Sequence, residues 1–330
     1  MSGARCLVGS ALPLVFGSSL ALAQIAAEPL TFTGMCDASA AAAIDAERFV
    51  VADDEDNVLR VFSRGGGEAL FAFDFSAFLG NQGKKKEKEA DLEAAASIGE
   101  HVFWITSHGR NAKGQEKPER QRLFATKAHI SGGKVKIAAI GQPYSTLLDD
   151  LIGDPRLARY NLKEAAQLAP KEPGGLNIEG LASTPEGHLL IGFRNPVPGG
   201  MSLVVPLLNP FDAVNGKRAK LGAPVELQLG GLGIRSIERL GERYVIIAGA
   251  TGEGGSPSRI FQWDGRGQPM QVPGVTLKGL NPEGVAFDGA DGANEYLVLS
   301  DDGSRSVDGV DCKDLKDSSL KRFRGRLLEF

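Results

Sequence analysis

A repeated phrase constrains this chain more than any other feature. GGLNIEGLAST, starting at Gly174, has a close copy in LNPEGVAFD from Leu280 and looser ones in CDASAAAAI from Cys36, ADLEAAASI from Ala90 and GIRSIERL from Gly233. Each copy sets a charged residue at the start of a small, apolar run, followed by a turn and a second apolar run. Aligned on that residue, the copies start at Asp37, Glu93, Glu179, Arg235 and Glu283, so the intervals by subtraction are 56, 86, 56 and 48, with 47 to the C-terminus. Supersecondary units of this length, repeated, specify a radial or solenoid architecture, because no single copy can bury its own faces.

The third copy reads as four strands: Glu179 to Ser183, His188 to Arg194, Ser202 to Leu208 and Val225 to Leu229. The fourth reads as Arg235 to Leu240, Tyr244 to Ala248, Arg259 to Trp263 and Gln271 to Leu277. Four antiparallel strands per repeat make a propeller blade, and the 43 glycines and 42% hydrophobic content suit an all-β protein with many short strands. The expected fold is a β-propeller of five four-stranded blades, with six as the alternative. The last copy has three strands, ending in Gly325 to Phe330, and Leu30 to Thr33 is a spare strand, so the N-terminal strand completes the last blade and removes the exposed edge. The long interval holds YSTLLDDLIGDPRLARYNLKEAAQLAP, whose Leu and Ala spacing is helical, which predicts a helical insertion around residues 141–173.

The N-terminus reads as an export signal: Arg5, an apolar stretch from Leu7 to Leu22, and an A-x-A site at Ala21-Leu22-Ala23. The expected division is a signal peptide over 1–23 and a single propeller domain over 24–330, in a periplasmic or secreted protein with no membrane span. Removing residues 1–23 takes away Arg5 and no acid, moving the net charge from −4 to −5. An acidic balance argues against nucleic acid, and Lys84-Lys85-Lys86-Glu87-Lys88-Glu89 reads as a solvated loop. Cys6 leaves with the signal. Cys36 and Cys312 remain, and strand counting puts both in loops on one face, so they are expected to form a disulfide that locks the ring.

In a propeller the first strand begins where the second ends, so the repeated acids and the ends of the second strands meet at one mouth of the central channel. Those ends are Asp53 and Asp54, His108 and Arg110, Arg194 and Asn195, and Asp301 and Asp302, at offsets of 16, 15, 15 and 18 for Asp53, His108, Arg194 and Asp301. Two carboxylates about 6 Å apart repel by roughly 3 kcal/mol at an effective dielectric near 20, so a ring of them needs positive charge. Arg110, Arg194 and Arg235 can supply it as an ion-pair ring. A cation can also supply it, and hard oxygen ligands favour Ca²⁺ or Mg²⁺ over Zn²⁺. Capping of backbone N–H groups between blades is the plain alternative for such recurring polar residues. The ligand candidates are Asp37, Glu93, Glu179, Glu283, Asp301 and Asp302; the candidates for receiving negative charge are His108, Arg110, Arg194 and Arg235. His101, His129 and His188 read as structural, and Asp288, Asp291 and Asn294 depart from an EF-hand loop. The chain has no G-x-S-x-G, H-E-x-x-H or Walker A motif.

Taken together, CDASAAAAIDAERFVVADDEDNVLRVF, EADLEAAASIGEHVFWITSHGRNAKG, GGLNIEGLASTPEGHLLIGFRNP, GLGIRSIERLG and LNPEGVAFD resemble a bacterial family, domain of unknown function 3616. More distantly the chain is similar to phytase-like, esterase-like and gluconolactonase-type propellers, a resemblance that implies a funnel holding a divalent cation. Arg235 at one equivalent position departs from those ligand sets. The expected activity is a cation-dependent hydrolysis of a small anionic ester, a phosphoester or lactone; the alternative is a binding propeller, taking an anionic ligand at the funnel or a protein partner through the insertion.

Overall fold

The computed structural model describes residues 28–83, 87–253, 257–287 and 295–329. Strand β1 (Leu30–Thr33) precedes the first blade, which comprises β2 (Ala38–Ala43), β3 (Arg48–Asp53), β4 (Val58–Ser63) and β6 (Phe71–Asp74). The short β5 (Gly67–Glu68) lies between the last two in sequence, and one-turn helix α1 (Ser76–Leu79) follows. Blade 2 is β7 (Leu92–Ile98), β8 (His101–Thr106), β9 (Leu123–Ser131) and β10 (Lys134–Tyr144). Helices α2 (Leu147–Gly153) and α3 (Leu162–Ala165) come next. Blade 3 is β11 (Asn177–Ser183), β12 (Leu189–Asn195), β13 (Ser202–Leu207) and β14 (Val225–Leu227), with helix α4 (Pro210–Ala213) before its last strand. Blade 4 is β15 (Gly233–Leu240), β16 (Arg243–Gly249), β17 (Arg259–Trp263) and β18 (Met270–Gln271). Blade 5 takes β19 (Pro282–Ala286) and β20 (Glu295–Ser300), a small hairpin of β21 (Ser306–Val307) and β22 (Val310–Asp311), then β23 (Arg322–Glu329). Its fourth strand is β1, antiparallel to β23, with Phe32 opposite Phe323.

The protein is therefore a five-bladed propeller closed by its N-terminal strand. Strand β1 also pairs in parallel with β5, tying blade 5 to blade 1 through a second ladder. Phe32 stacks on Phe323 with centroids 4.8 Å apart and meets Phe49 and Phe62 edge-on, a geometry that aromatic quadrupoles favour. Cys36 and Cys312 are disulfide-bonded, with Cα atoms 5.9 Å apart and 276 residues between them in sequence.

Strand alternation explains why the ring packs. In β3, Phe49 and Val51 face blade 5 while Val50 and Ala52 face blade 2. Both faces of a blade are thus apolar, and each of the five blade interfaces holds its own buried cluster. Small residues crowd the axis; a Cβ on Gly180 would lie 2.8 Å from Ile234 Cγ2 of the next blade.

Two expected boundaries move. The fourth strand of blade 4 ends at Gln271 rather than continuing to Leu277, because Pro273 has no N–H to give and Gly274 takes a positive φ of 78°. The insertion begins at Leu147, since Gly141–Tyr144 remains in β10 across a bulge between Ile140 and Tyr144. Its helices are not a free appendage: Leu147, Leu151, Leu157, Tyr160 and Leu162 join the core cluster between blades 2 and 3. Residues 1–23, Lys84–Lys86, and Asp288, Asp291 and Asn294 lie outside the described residues. No described helix is long and apolar enough to cross a membrane.

Candidate functional site

Every first strand carries a bulge at the same place. In the pairing of β7 with β8, Leu92 faces Thr106 and Ala94 faces Ile105, so Glu93 has no partner. The same skip leaves out Glu179 in β11, Arg235 in β15, Glu283 in β19 and Ser39 in β2. A bulge re-aims the extra residue and bends the strand, which is how these side chains come to gather at one mouth of the channel. The ring position of blade 1 is therefore Ser39, two residues beyond the Asp37 that sequence alignment placed there. Ser39 Oγ donates to Leu92 O at 2.5 Å, fastening blade 1 to blade 2. Asp37 instead bridges to Asp301 at the seam between blades 1 and 5.

The mouth divides into two electrostatic halves. On the side of blades 3 to 5, Glu179 is 3% exposed and holds Arg194 Nη1 at 2.6 Å, Asn177 Nδ2 at 2.7 Å and Arg235 Nε at 3.2 Å. Arg235 also pairs through Nη2 with Glu283 Oε1, and Arg194 Nε donates to Ala250 O at 2.9 Å. Two of the three arginines expected in an ion-pair ring, Arg194 and Arg235, thus form a network with Glu179 and Glu283 over half the circumference; Arg110 is not part of it.

The other half gathers acids whose nearest bases, Arg60 and Lys321 beside Asp53 and Lys313 beside Asp37 and Asp54, stand beyond salt-bridge distance. One carboxylate oxygen from each of Asp37, Asp53 and Asp54 lies within 4.8 Å of the others. None of the three forms a salt bridge with a described residue, and Asp54 Oδ1 is buried with no hydrogen-bond partner among the described residues. Burial, with Asp53 and Asp301 facing it, pushes Asp37 up to about 9. Burial and then Asp56 push Asp53 up to about 7. Asp54 is held well above the usual carboxylate range by burial and then by Glu93, Asp301, Asp53 and Asp37. Glu93 sits between the halves: burial, Glu179 and Asp91 raise it well above its ordinary value, against the pull of Arg194 and Arg235.

Other candidates fall elsewhere. Asp301 joins the acidic half, held by Asn281 Nδ2 at 2.8 Å and Gly303 N–H at 2.8 Å. Asp302 is turned away into a bidentate pair with Arg324, at 2.7 and 2.6 Å. Arg110 anchors the insertion, its guanidinium donating to Ala166 O at 2.9 Å and Gln167 Oε1 at 2.7 Å. His108 is 2% exposed with a φ of 55°, and its Nδ1 lies 2.8 Å from Thr106 O. Burial lowers it to about 4, so it is neutral, and its Nε2 has no hydrogen-bond partner among the described residues. The segment after α3 borders the same mouth, with Pro170 O and Glu172 O accepting from Asn195 Nδ2 at 2.9 and 2.7 Å.

Sequence reasoning noted Asp53 and Asp54 as strand ends but left them out of the ligand set. The signal was the doublet itself, which recurs as Asp301-Asp302. Arg120 was missed: its Nη1 pairs with Asp91 at 2.9 Å and its Nη2 with Glu89. The ends of the second strands had drawn attention; Arg120 lies on the loop beyond.

Residues 125–283 match the family described as "Protein of unknown function (DUF3616)", so the resemblance read from the sequence holds over that span. No curated protein sequence matches the chain significantly. Among solved structures, it is similar to a glutaminyl cyclase of Myxococcus xanthus at 11% identity and a TM-score of 0.46, covering 92% of this chain and 96% of that one. An aldose sugar dehydrogenase of Streptomyces coelicolor, in its PQQ-bound form, is 11% identical with a TM-score of 0.42, covering 92% and 97%. A gluconolactonase of Xanthomonas campestris is 12% identical with a TM-score of 0.39, covering 86% and 77%.

Proposed function

We propose that this chain, whose residues 125–283 match that family, is a periplasmic or secreted hydrolase that uses a divalent cation, Ca²⁺ or Mg²⁺, to cleave a small anionic ester, a phosphoester or lactone, at the acidic mouth. One observation carries the reading: Asp37, Asp53 and Asp54 converge to within 4.8 Å with no salt-bridge partner among the described residues, and Asp54 Oδ1 is buried without a hydrogen-bond partner among them. Such a set is costly unless protonated or compensated, and hard carboxylate oxygens suit Ca²⁺ or Mg²⁺. Asp37, Asp53 and Asp54 would hold the cation, with Asp301 and Glu93 beside them. When bound, a divalent ion supplies Lewis acidity and a more acidic water.

The chain's own groups divide the remaining work. Arg194 and Arg235, neutralised by Glu179 and Glu283, leave the far side of the mouth without net charge, so an anionic substrate would lean there rather than on the acids. Glu93, holding its proton to higher pH than an ordinary glutamate, is placed to pass it to a leaving oxygen. Asn195, tied to Pro170 and Glu172, fixes the insertion as the rim against which the substrate is oriented.

A second reading, a non-catalytic ligand-binding propeller, is favoured by a specific fact: both arginines of the mouth are already engaged by Glu179 and Glu283. The two are separated by assaying the protein against phosphoester and lactone panels with Ca²⁺, with Mg²⁺ and with EDTA, beside Asp54→Asn. Cation-dependent turnover that is lost in Asp54→Asn supports the hydrolase; a cation that raises the melting temperature with no turnover supports the binding module. No cation-dependent stabilisation at all rejects the metal site.

A further inference from the structure

The mouth opposite the acids holds a cavity of about 460 Å³ that Glu238 helps to line. Its wall is drawn from the ends of the first strands all round the ring: Ile44 and Asp45 of blade 1, Ser97 of blade 2, Ser183 of blade 3, Arg239 of blade 4 and Phe287 of blade 5. Between the two mouths the channel narrows to a void of about 10 Å³, which Glu238 lines together with Glu93 and Glu283. That is room for about one water, so the two mouths are separate compartments.

Glu238 is the one acid lining this cavity that has no salt bridge among the described residues. Asp45 is held by Arg48 Nη2 at 2.6 Å, and Arg239 Nε donates to Gly241 O at 2.8 Å. Glu238 makes no salt bridge with a described residue; burial pushes its carboxyl up to about 8 although the adjacent Arg239 pulls the other way. The titratable groups facing it from other elements are Tyr296 of blade 5, pushed up to about 12 by burial and then by Glu238, and Glu93 and Glu283 across the void. Arg243 lies near Tyr296. None of these supplies Glu238 with a counter-ion.

We propose that this cavity binds a small organic ammonium ion, with Glu238 as its counter-charge and the hydroxyls of Ser97 and Ser183 as further acceptors. A single carboxylate cannot replace the six or more oxygens a divalent metal requires, so the charge it attracts is a monovalent, hydrogen-bonding one. An alkylammonium also offers an apolar body to Ile44 and Phe287. An anion would meet Glu238 directly. The proposal is independent of the reading at the acidic mouth.

The test is calorimetric titration of the full chain, in EDTA so that the acidic mouth is kept free of added metal, with butylammonium as probe and butan-1-ol and butyrate as matched controls. Butylammonium is expected to bind about tenfold or more tightly than either control. Its affinity should rise by about tenfold or more from pH 6 to pH 8, because Glu238 must be ionised to pair with it. Glu238→Gln should weaken binding at least tenfold, and Arg239→Gln, which removes a competing cation, should strengthen it a few-fold. Because the second variant acts in the opposite direction, a folding defect in the first does not mimic the result. Butan-1-ol binding as tightly as butylammonium, equal affinity in Glu238→Gln as judged beside an unchanged melting curve, or no heat with millimolar butylammonium would overturn the proposal.

Discussion

Replacing Arg235 by methionine removes the charge that serves two acids from two blades. Its Nε lies 3.2 Å from Glu179 Oε2, and its Nη2 pairs with Glu283. At an effective dielectric near 20, one such contact at 3.2 Å is worth about 5 kcal/mol of attraction before desolvation is subtracted. The loss is unequal. Glu179 keeps Arg194 at 2.6 Å and Asn177 at 2.7 Å, whereas Glu283, 7% exposed, has no other salt-bridge partner among the described residues. Stranding one buried carboxylate in this way costs about 3–5 kcal/mol. For a chain of this size, at roughly 2–3 °C per kcal/mol, Arg235→Met should melt about 10 °C below the parent. Glu283→Gln added to Arg235→Met should recover most of the deficit, since the stranded charge is then gone, and the double-mutant cycle should give a coupling of about 2 kcal/mol or more. The assay is thermal and urea denaturation of all four proteins at pH 7. A single mutant melting within about 2 °C of the parent, or a double mutant no better than the single, would refute the assignment of Arg235 as the compensating charge.

Gly303→Ala would place a Cβ 1.5 Å from Asp37 Oδ1, so Asp37 must rotate; Ca²⁺ affinity measured by titration should fall by about tenfold or more while the melting temperature barely moves. Reducing Cys36–Cys312, or replacing both by serine, frees a loop spanning 276 residues and should cost on the order of 5 kcal/mol in the chain-entropy model, read as a lower denaturation midpoint. In cation-free buffer the raised values of Asp37 and Asp53, about 9 and about 7, mean that the folded protein binds more protons than the unfolded chain. The stability these groups contribute is complete below about pH 4 and is lost as pH rises through 7 and towards 9, so melting temperature should fall across that window with EDTA and recover with Ca²⁺; a flat profile would count against the shared acidic pocket.

The architecture was legible because its cause is local. An acid, a small apolar run and a Gly turn recur at blade spacing, and each first strand needs small residues where five of them converge. Closure by β1 and the disulfide followed from counting strands and cysteines. The site was legible only in outline, since alternation cannot locate a bulge. One extra residue in each first strand shifts which side chain reaches the axis, and so Ser39 took the place assigned to Asp37. Partner choice was equally hidden: Asp302 looked equivalent to Asp301, but β23 brings Arg324 against it from 22 residues away. Arg110, expected at a second-strand end, lies four residues beyond β8 and is spent on Ala166 and Gln167 of an insertion whose path no repeat could reveal.

Closure by the first strand also sets an order of assembly. Blades 1 to 4 draw their strands from contiguous stretches and can pair as they leave the ribosome. The last sheet cannot: β1 is made first, yet its antiparallel partner β23 is made last, near residue 325. Throughout synthesis the two halves of one sheet wait at opposite ends of the chain, with the Phe32 ring bare and both cysteines unpaired. Joining them is the strand pairing of greatest sequence separation among the described residues and, by loop-closure entropy, the slowest of these pairings. A ring so wired stays open until β23 has been made, so its last blade is also the last to acquire a protected edge.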